Sequence, residues 1–202
     1  YSLYQNQTGY YNVAVGTSAL YSNISGSQNC AIGENSLSSF TTGLQNTAVG
    51  RNSMQYSASA SFNTAVGYFS LSRTTGQYNL GLGWYVAPDL LSGASNVLIG
   101  KECGINLVNG SNNIFMGRVS LPASAATATH AGTDTSNTII LADGAGNQRL
   151  YINSNGNTGI GLPSNSIPTN KLELNGGLNG TAGLRFRNFT NTNYNTIAPT
   201  SN

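Results

Sequence analysis

Apolar residues return along this chain in short clusters, each headed by an asparagine and closed by a glycine. They read Asn12-Val-Ala-Val-Gly16, Asn29-Cys-Ala-Ile-Gly33, Asn46-Thr-Ala-Val-Gly50, Asn63-Thr-Ala-Val-Gly67, Asn79-Leu-Gly-Leu-Gly83, Asn96-Val-Leu-Ile-Gly100 and Asn113-Ile-Phe-Met-Gly117. The closing glycines are separated by 17, 17, 17, 16, 17 and 17 residues. A fixed period of this length predicts a solenoid, in which each repeat is one coil buried against its neighbours. The expected class is all-β: a parallel β-solenoid, or β-roll, of about seven 17-residue coils over residues 1–121.

The columns of the repeat carry the next expectations. The residue before each closing glycine is large and apolar (Val15, Ile32, Val49, Val66, Leu82, Ile99, Met116). Stacked coil on coil, these are expected to form one buried stripe. Two residues before the glycine the side chain is small (Ala14, Ala31, Ala48, Ala65, Gly81) until Leu98 and Phe115. Neighbouring strand positions face opposite ways. The small column is therefore expected to face another backbone, a second subunit's being one alternative. The closing glycine suits a turn with positive φ or no room for a side chain. The repeated asparagine suits a ladder bonding coil to coil. Four residues after the glycine come Leu20, Leu37, Met54, Leu71 and Leu121, with Ala87 and Gly104 breaking the series.

Charge supports the register. Up to Leu121 there are seven charged residues: Glu34, Arg51, Arg73, Asp89, Lys101, Glu102 and Arg118, all after a closing glycine and none inside a motif. A buried unpaired charge costs several kcal/mol, so the segment after each motif is expected outside. The whole chain of 202 residues holds eight Lys plus Arg and six Asp plus Glu, for a net charge of +2. That lacks the clustered basic face of a nucleic-acid binder. No apolar run has the length of a membrane-spanning helix, so neither nucleic acid nor membrane insertion is expected.

Past Leu121 the period lapses. Residues 122–136 read as a linker containing the only histidine, His130. From 137 to 202 a β-rich module is expected. Thr138-Ile-Ile-Leu-Ala142 and Arg149-Leu-Tyr-Ile-Asn153 flank the turn Asp143-Gly-Ala-Gly-Asn147 as a hairpin. Asn157-Thr-Gly-Ile-Gly161 revives the repeat motif, Lys171–Asn175 and Gly183–Phe189 read as strands, and a polar Asn/Thr tail follows. The chain opens inside a repeat and reads as a piece of a longer protein.

Little in the composition suggests chemistry. One histidine in a linker offers no Ser/His/Asp set, and six scattered acids make a glycosidase pair hard to assemble. Asp143 and Asn147 read as a hairpin turn, with a calcium loop the lesser alternative. Cys30 and Cys103 stand about four coils apart, roughly 19 Å at the spacing of stacked strands, too far for a disulfide. Both read as small buried fillers. No enzyme activity, cofactor or metal is expected. Five sequons, at Asn6, Asn23, Asn109, Asn179 and Asn188, are what chance supplies in so Asn-, Ser- and Thr-rich a chain. The aromatics between motifs are too many for a narrow coil, so several are expected outside or between subunits. Tyr68, Phe69, Trp84 and Tyr85 are the candidates for contact with a surface, by sugar stacking or by packing on a neighbouring subunit.

The Gly-x-x-Asn-x-Ala-Val-Gly repeat resembles the head repeats of trimeric autotransporter adhesins and similar repeats in phage tail fibres. That resemblance implies left-handed parallel β-rolls with three chains side by side. Gly156-Asn-Thr-Gly-Ile-Gly161, Lys171-Leu-Glu-Leu-Asn-Gly176 and Gly183-Leu-Arg-Phe-Arg187 are similar to the stretch preceding the intramolecular chaperone of many tail fibres. A chaperone encoded beyond Asn202 would, by that resemblance, be cut off after assembly. Together these imply a homotrimeric, extracellular fibre segment, structural and adhesive, joining a phage tail or related particle to a host-surface glycan or protein. A bacterial cell-surface adhesin or extracellular filament is the alternative. An ice-binding solenoid is more remote, because the position after the motif asparagine lacks a threonine array.

Overall fold

Each motif forms a strand of three residues, and the rest of each coil is turns. This is seen in a computed structural model that describes residues 1–121, 135–162, 166–174, 184–187 and 194–197. The strands are β1 (Val13–Val15), β2 (Cys30–Ile32), β3 (Thr47–Val49), β4 (Thr64–Val66), β5 (Leu80–Leu82), β6 (Val97–Ile99) and β7 (Ile114–Met116). They stack in chain order as parallel neighbours, one strand per coil. The turns are also bonded coil to coil: the Leu20 N–H donates to Ser36 O, Leu37 to Ser53 O and Met54 to Ser70 O, each at 3.0 Å. The single 16-residue step leaves the strand register intact, with Thr64 opposite Leu80.

The strands point the other way from the sequence expectation. Ala31, Ala48, Ala65, Leu98 and Phe115 are wholly buried, while Val15 is 56% and Met116 44% exposed. Ile32 and Leu82 are also exposed, and Val49, Val66 and Ile99 are half-buried. The alanine column is the inside of the coil, and it approaches no second subunit. The large aliphatic column is outside. A coil this narrow leaves room behind the strand for a methyl group only, because Leu20, Leu37, Met54 and Leu71 fill the interior from the opposite wall.

The exceptions to both columns compensate each other. Gly81 stands where an added Cβ would lie 2.8 Å from Leu71 Cγ. Where Leu98 enlarges the strand column, the opposite wall shrinks to Ala87 and Gly104, and a Cβ on Gly104 would lie 3.5 Å from Leu98 Cδ1. The two breaks in the leucine series are thus the space into which Leu98 packs, keeping interior density near constant.

Turning the chain in 17 residues requires left-handed backbone. In most coils three non-glycine residues have positive φ: two and four residues after the closing glycine (Asn35 at 55°, Leu37 at 52°) and just before the asparagine (Gln45 at 55°). Each costs about 1 kcal/mol or more, held by the stacking on either side. Among the described residues, not one of those with positive φ other than glycine is Val, Ile or Thr, although the chain is rich in them. β-branched side chains are the least tolerant of this region. Leu37→Ile should therefore destabilise by about 2 kcal/mol or more, whereas Leu37→Met should cost under about 1.5 kcal/mol. Urea unfolding of both variants checks this, and equal losses would refute it. The closing glycines go further: Gly50 has φ +128°, and a Cβ there would sit 2.6 Å from Gly67 O.

The expected asparagine ladder is present. Asn46 Nδ2 donates to Asn29 Oδ1 at 2.9 Å and to Ala60 O at 2.9 Å, and its backbone N–H donates to the same Asn29 Oδ1 at 3.0 Å. The pattern runs from Asn12 to Asn113 and ends where the Thr138 N–H donates to Asn113 Oδ1. From Asn29 to Asn113 these amides are all but fully buried. A parallel serine series crosses the interior: Ser36, Ser53 and Ser70 Oγ donate to the carbonyls of Ala48, Ala65 and Gly81. Cys103 continues it, its thiol on Phe115 O, and burial pushes that thiol up to about 12. Cys30 corrects the expectation of two buried fillers, since it lies half-buried on the outer face of β2.

Residues 122–134, with His130, lie outside the described residues. By Thr135 the coil pattern is back: Thr135 O accepts from Asn113 Nδ2, and Ser136 Oγ accepts from the Ser111 N–H. β8 (Ile139–Ala142) then pairs parallel to β7. With the turn of residues 1–11, whose Leu3 N–H donates to Ala19 O, this makes a parallel β-solenoid of about nine turns. β9 (Gln148–Ile152) and β10 (Thr158–Ile160) fold back antiparallel, and β11 (Leu172–Leu174) pairs parallel to β10, extending one sheet to eleven strands. The hairpin at Asp143 is as expected. The carboxylate accepts from the N–H groups of Ala145 and Asn147 and from the side chains of Asn147 and Arg149. Those bonds, led by Asn147, hold Asp143 well below the usual carboxylate range. Asn153 repeats the turn, accepting from Asn155 and Asn157. β12 (Leu184–Arg187) pairs antiparallel with β13 (Tyr194–Ile197), a strand inside what read as a polar tail.

Candidate functional site

Two surfaces stand out once the coil is assembled. The first is the outer face of the long sheet. The motif places one residue outward on each side of the inward alanine, and strand register aligns these into two columns. One runs Val13, Cys30, Thr47, Thr64, Leu80, Val97, Ile114, Ile139, Ile152, Thr158, Leu172. The other runs Val15, Ile32, Val49, Val66, Leu82, Ile99, Met116, Leu141, Leu150, Ile160, Leu174. Not one of these side chains is buried and not one is charged. Ten steps of about 4.8 Å give a stripe on the order of 50 Å long. At two side chains wide it offers about 500 Å² of apolar surface, near the upper limit for a protein that stands alone. The columns cross from the parallel coils into the antiparallel strands without a break.

The second surface is aromatic. Tyr68 and Phe69 occupy the first two positions after one closing glycine, and Trp84 and Tyr85 the same positions one coil on. The structure brings the four together. Tyr68 stacks on Trp84 with ring centroids 6.0 Å apart, and Phe69 stacks on Tyr85 at 5.5 Å. Within each coil the neighbouring rings are tilted, at 5.7 and 5.3 Å. Lys101 Nζ lies 5.4 Å over the Trp84 ring, a cation–π contact. Tyr68 and Trp84 are exposed, while Phe69 and Tyr85 are half-buried. Beside Phe69 and Tyr85 opens a shallow groove, also lined by Tyr56, Arg73, Pro88 and Asp89.

Those four further residues escaped the sequence reading. Tyr56, Arg73 and Asp89 each stand six residues after a closing glycine, so counting along the period would have put them in one column. Their side chains are so different that the column carries no compositional signal. The structural repeat residues Asn12, Gly16, Asn29, Gly33, Asn46, Gly50, Asn63, Gly67, Asn79, Gly83, Asn96, Gly100, Asn113 and Gly117 hold the ladder and corners, and the charged residues lie on the outer turns as expected. Arg51 pairs with Glu34 at 3.1 Å and Arg118 with Glu102 at 2.6 Å, all with solvent access. Surface pairs of this kind contribute at most about 1 kcal/mol.

Of the sequons described, Asn23 is fully buried, whereas Asn6 and Asn109 are exposed. Among the described residues no group of three or more His, Cys, Asp or Glu could hold a metal ion, and no helix is long and apolar enough to cross a membrane. Comparison with protein-family models, with curated proteins and with solved structures finds no match to this chain. What the geometry shows is a β-solenoid repeat protein with a buried asparagine ladder, an architecture consistent with a structural role.

Proposed function

We propose that the chain is a segment of an extended homotrimeric fibre, structural and adhesive, that attaches a phage tail or related particle to a host surface. The observation that carries this is the unbroken apolar stripe on the outer face of all eleven strands. It is uncharged throughout, and only Thr47, Thr64 and Thr158 bring a hydroxyl into it. Its two columns are separated by one inward residue, so in a three-fold arrangement each can meet a different neighbour and three stripes can close around an axis. A face this narrow gives each pair of chains less than the contact of a standard interface, and length along the fibre makes up the difference. The sequence resemblance to adhesin and tail-fibre repeats points the same way.

The test uses the two cysteines as reporters. Sedimentation of the purified chain at micromolar concentration should give three times the monomer mass. Cys30 sits in the stripe and should resist alkylation in the assembly. Leu82→Asp with Ile99→Asp places charges in the stripe without touching the interior. That variant should be a folded monomer by circular dichroism, with Cys30 open to alkylation and Cys103 still closed. A wild-type monomer or dimer would overturn the trimer.

A further inference from the structure

We propose that the groove between Phe69–Tyr85 and the Tyr56–Arg73–Asp89 column binds a neutral hexopyranose unit of a glycan. This rests on the fibre reading only for the glycan being a host-surface one, since the groove is built within one chain.

The site is a local departure from the repeat. Two residues after the closing glycine, other coils carry Ser18, Asn35, Asn52, Glu102 or Val119. Only two successive coils place aromatic rings there, and those rings stack across the coil step with an interplanar angle of 22°. They make one continuous wall that a sugar's C–H face can cover, with the Tyr85 hydroxyl as a polar tip. The facing wall comes from the position six after the glycine in three successive coils. That sets a phenol, a guanidinium and a carboxylate one above the other along the groove, on backbones one coil step of about 4.8 Å apart.

Arg73 supplies donors and Asp89 acceptors, and a sugar hydroxyl can answer both at once. The cavity is about 330 Å³, at the small end of ligand sites and suited to one or two sugar rings. Its charges are one of each sign, which favours a neutral sugar over a sialic or uronic acid. Pro88 is buried beneath it. The open shape predicts weak binding at each site, strengthened when three chains present three copies.

Saturation-transfer NMR on the full chain, with lactose, cellobiose and N,N′-diacetylchitobiose as probes, tests this. At least one should bind with a dissociation constant on the order of 1 mM. Phe69→Ala and Asp89→Asn should each weaken it by about fivefold or more, and Tyr11→Ala, whose ring lies outside the groove, should not. Asp89→Asn keeps the shape of the turn, so the test survives if Phe69→Ala fails to fold. Absence of transfer from all three sugars, or binding that ignores both groove substitutions, overturns the proposal. Sedimentation of the same samples separates the two readings: a monomer that binds sugar rejects only the trimer, and a trimer that binds none rejects only the groove.

Discussion

Ala48→Asp should lower the melting temperature by at least about 10 °C, the scale expected for several kcal/mol in a chain of this length. Ala48 is completely buried, flanked in the same column by Ala31 and Ala65, and its carbonyl already accepts from Ser36 Oγ. An aspartate there would be an unpaired charge in a dry interior and too large for a space the size of a methyl group. Its neighbour Val49 points outward and is half-buried. Val49→Asp should leave an isolated chain folded and act on association instead. Arg51→Asp should have little effect, because that side chain is solvated and its pair with Glu34 is exposed. Thermal unfolding of the three variants, followed by circular dichroism under conditions that keep the chain dissociated, decides the orientation. Equal losses for Ala48→Asp and Val49→Asp would mean that the strand faces are assigned wrongly.

Asn63→Ala is expected to cost on the order of 3–5 kcal/mol, more than any surface substitution in the molecule. Asn63 Nδ2 donates to Ser61 O at 3.0 Å and Gly76 O at 2.9 Å. Its Oδ1 accepts from the Asn79 backbone at 2.9 Å and from Asn79 Nδ2 at 3.1 Å. An alanine removes all four of these bonds at the middle of the ladder, three of them buried. Coils on both sides lose their tie, so the loss should exceed that of Asn12→Ala, where the ladder is half-buried. Chemical unfolding of both variants measures the difference, and a loss under about 1 kcal/mol for Asn63→Ala would show that the ladder contributes register without stability.

The repeat itself was plain in the sequence. Seven copies of one motif at a near-constant spacing gave the solenoid, the asparagine ladder, the glycine corners and the outward turns that carry Glu34, Arg51 and Lys101. The aromatic quartet was legible because Tyr68-Phe69 and Trp84-Tyr85 replace polar residues in the same two columns. The groove beside it was not, because Tyr56, Arg73 and Asp89 share a column without sharing chemistry, and only the stacking of three coils makes them one wall.

The left-handed corners were also hidden. Leu20, Leu37, Met54 and Leu71 look like ordinary core leucines and methionine, yet each combines a core side chain with positive φ. What marks them is the absence of β-branched residues, a negative signal that acquires meaning only once the dihedral angles are known.

The sequence by itself determined the period, the strand positions, the two-residue alternation and the residues that bond coil to coil. Tertiary structure alone decided which phase of the alternation faces inward. Alanine and valine are both apolar, so burial of apolar area favours the larger side chain inside. The coil closes on itself within 17 residues, however, and its opposite wall is already filled by leucine. Space, more than hydrophobicity, selects the methyl group for the interior. The valines, isoleucines and leucines are left on the outer face, where they line up as the stripe on which the proposed assembly rests.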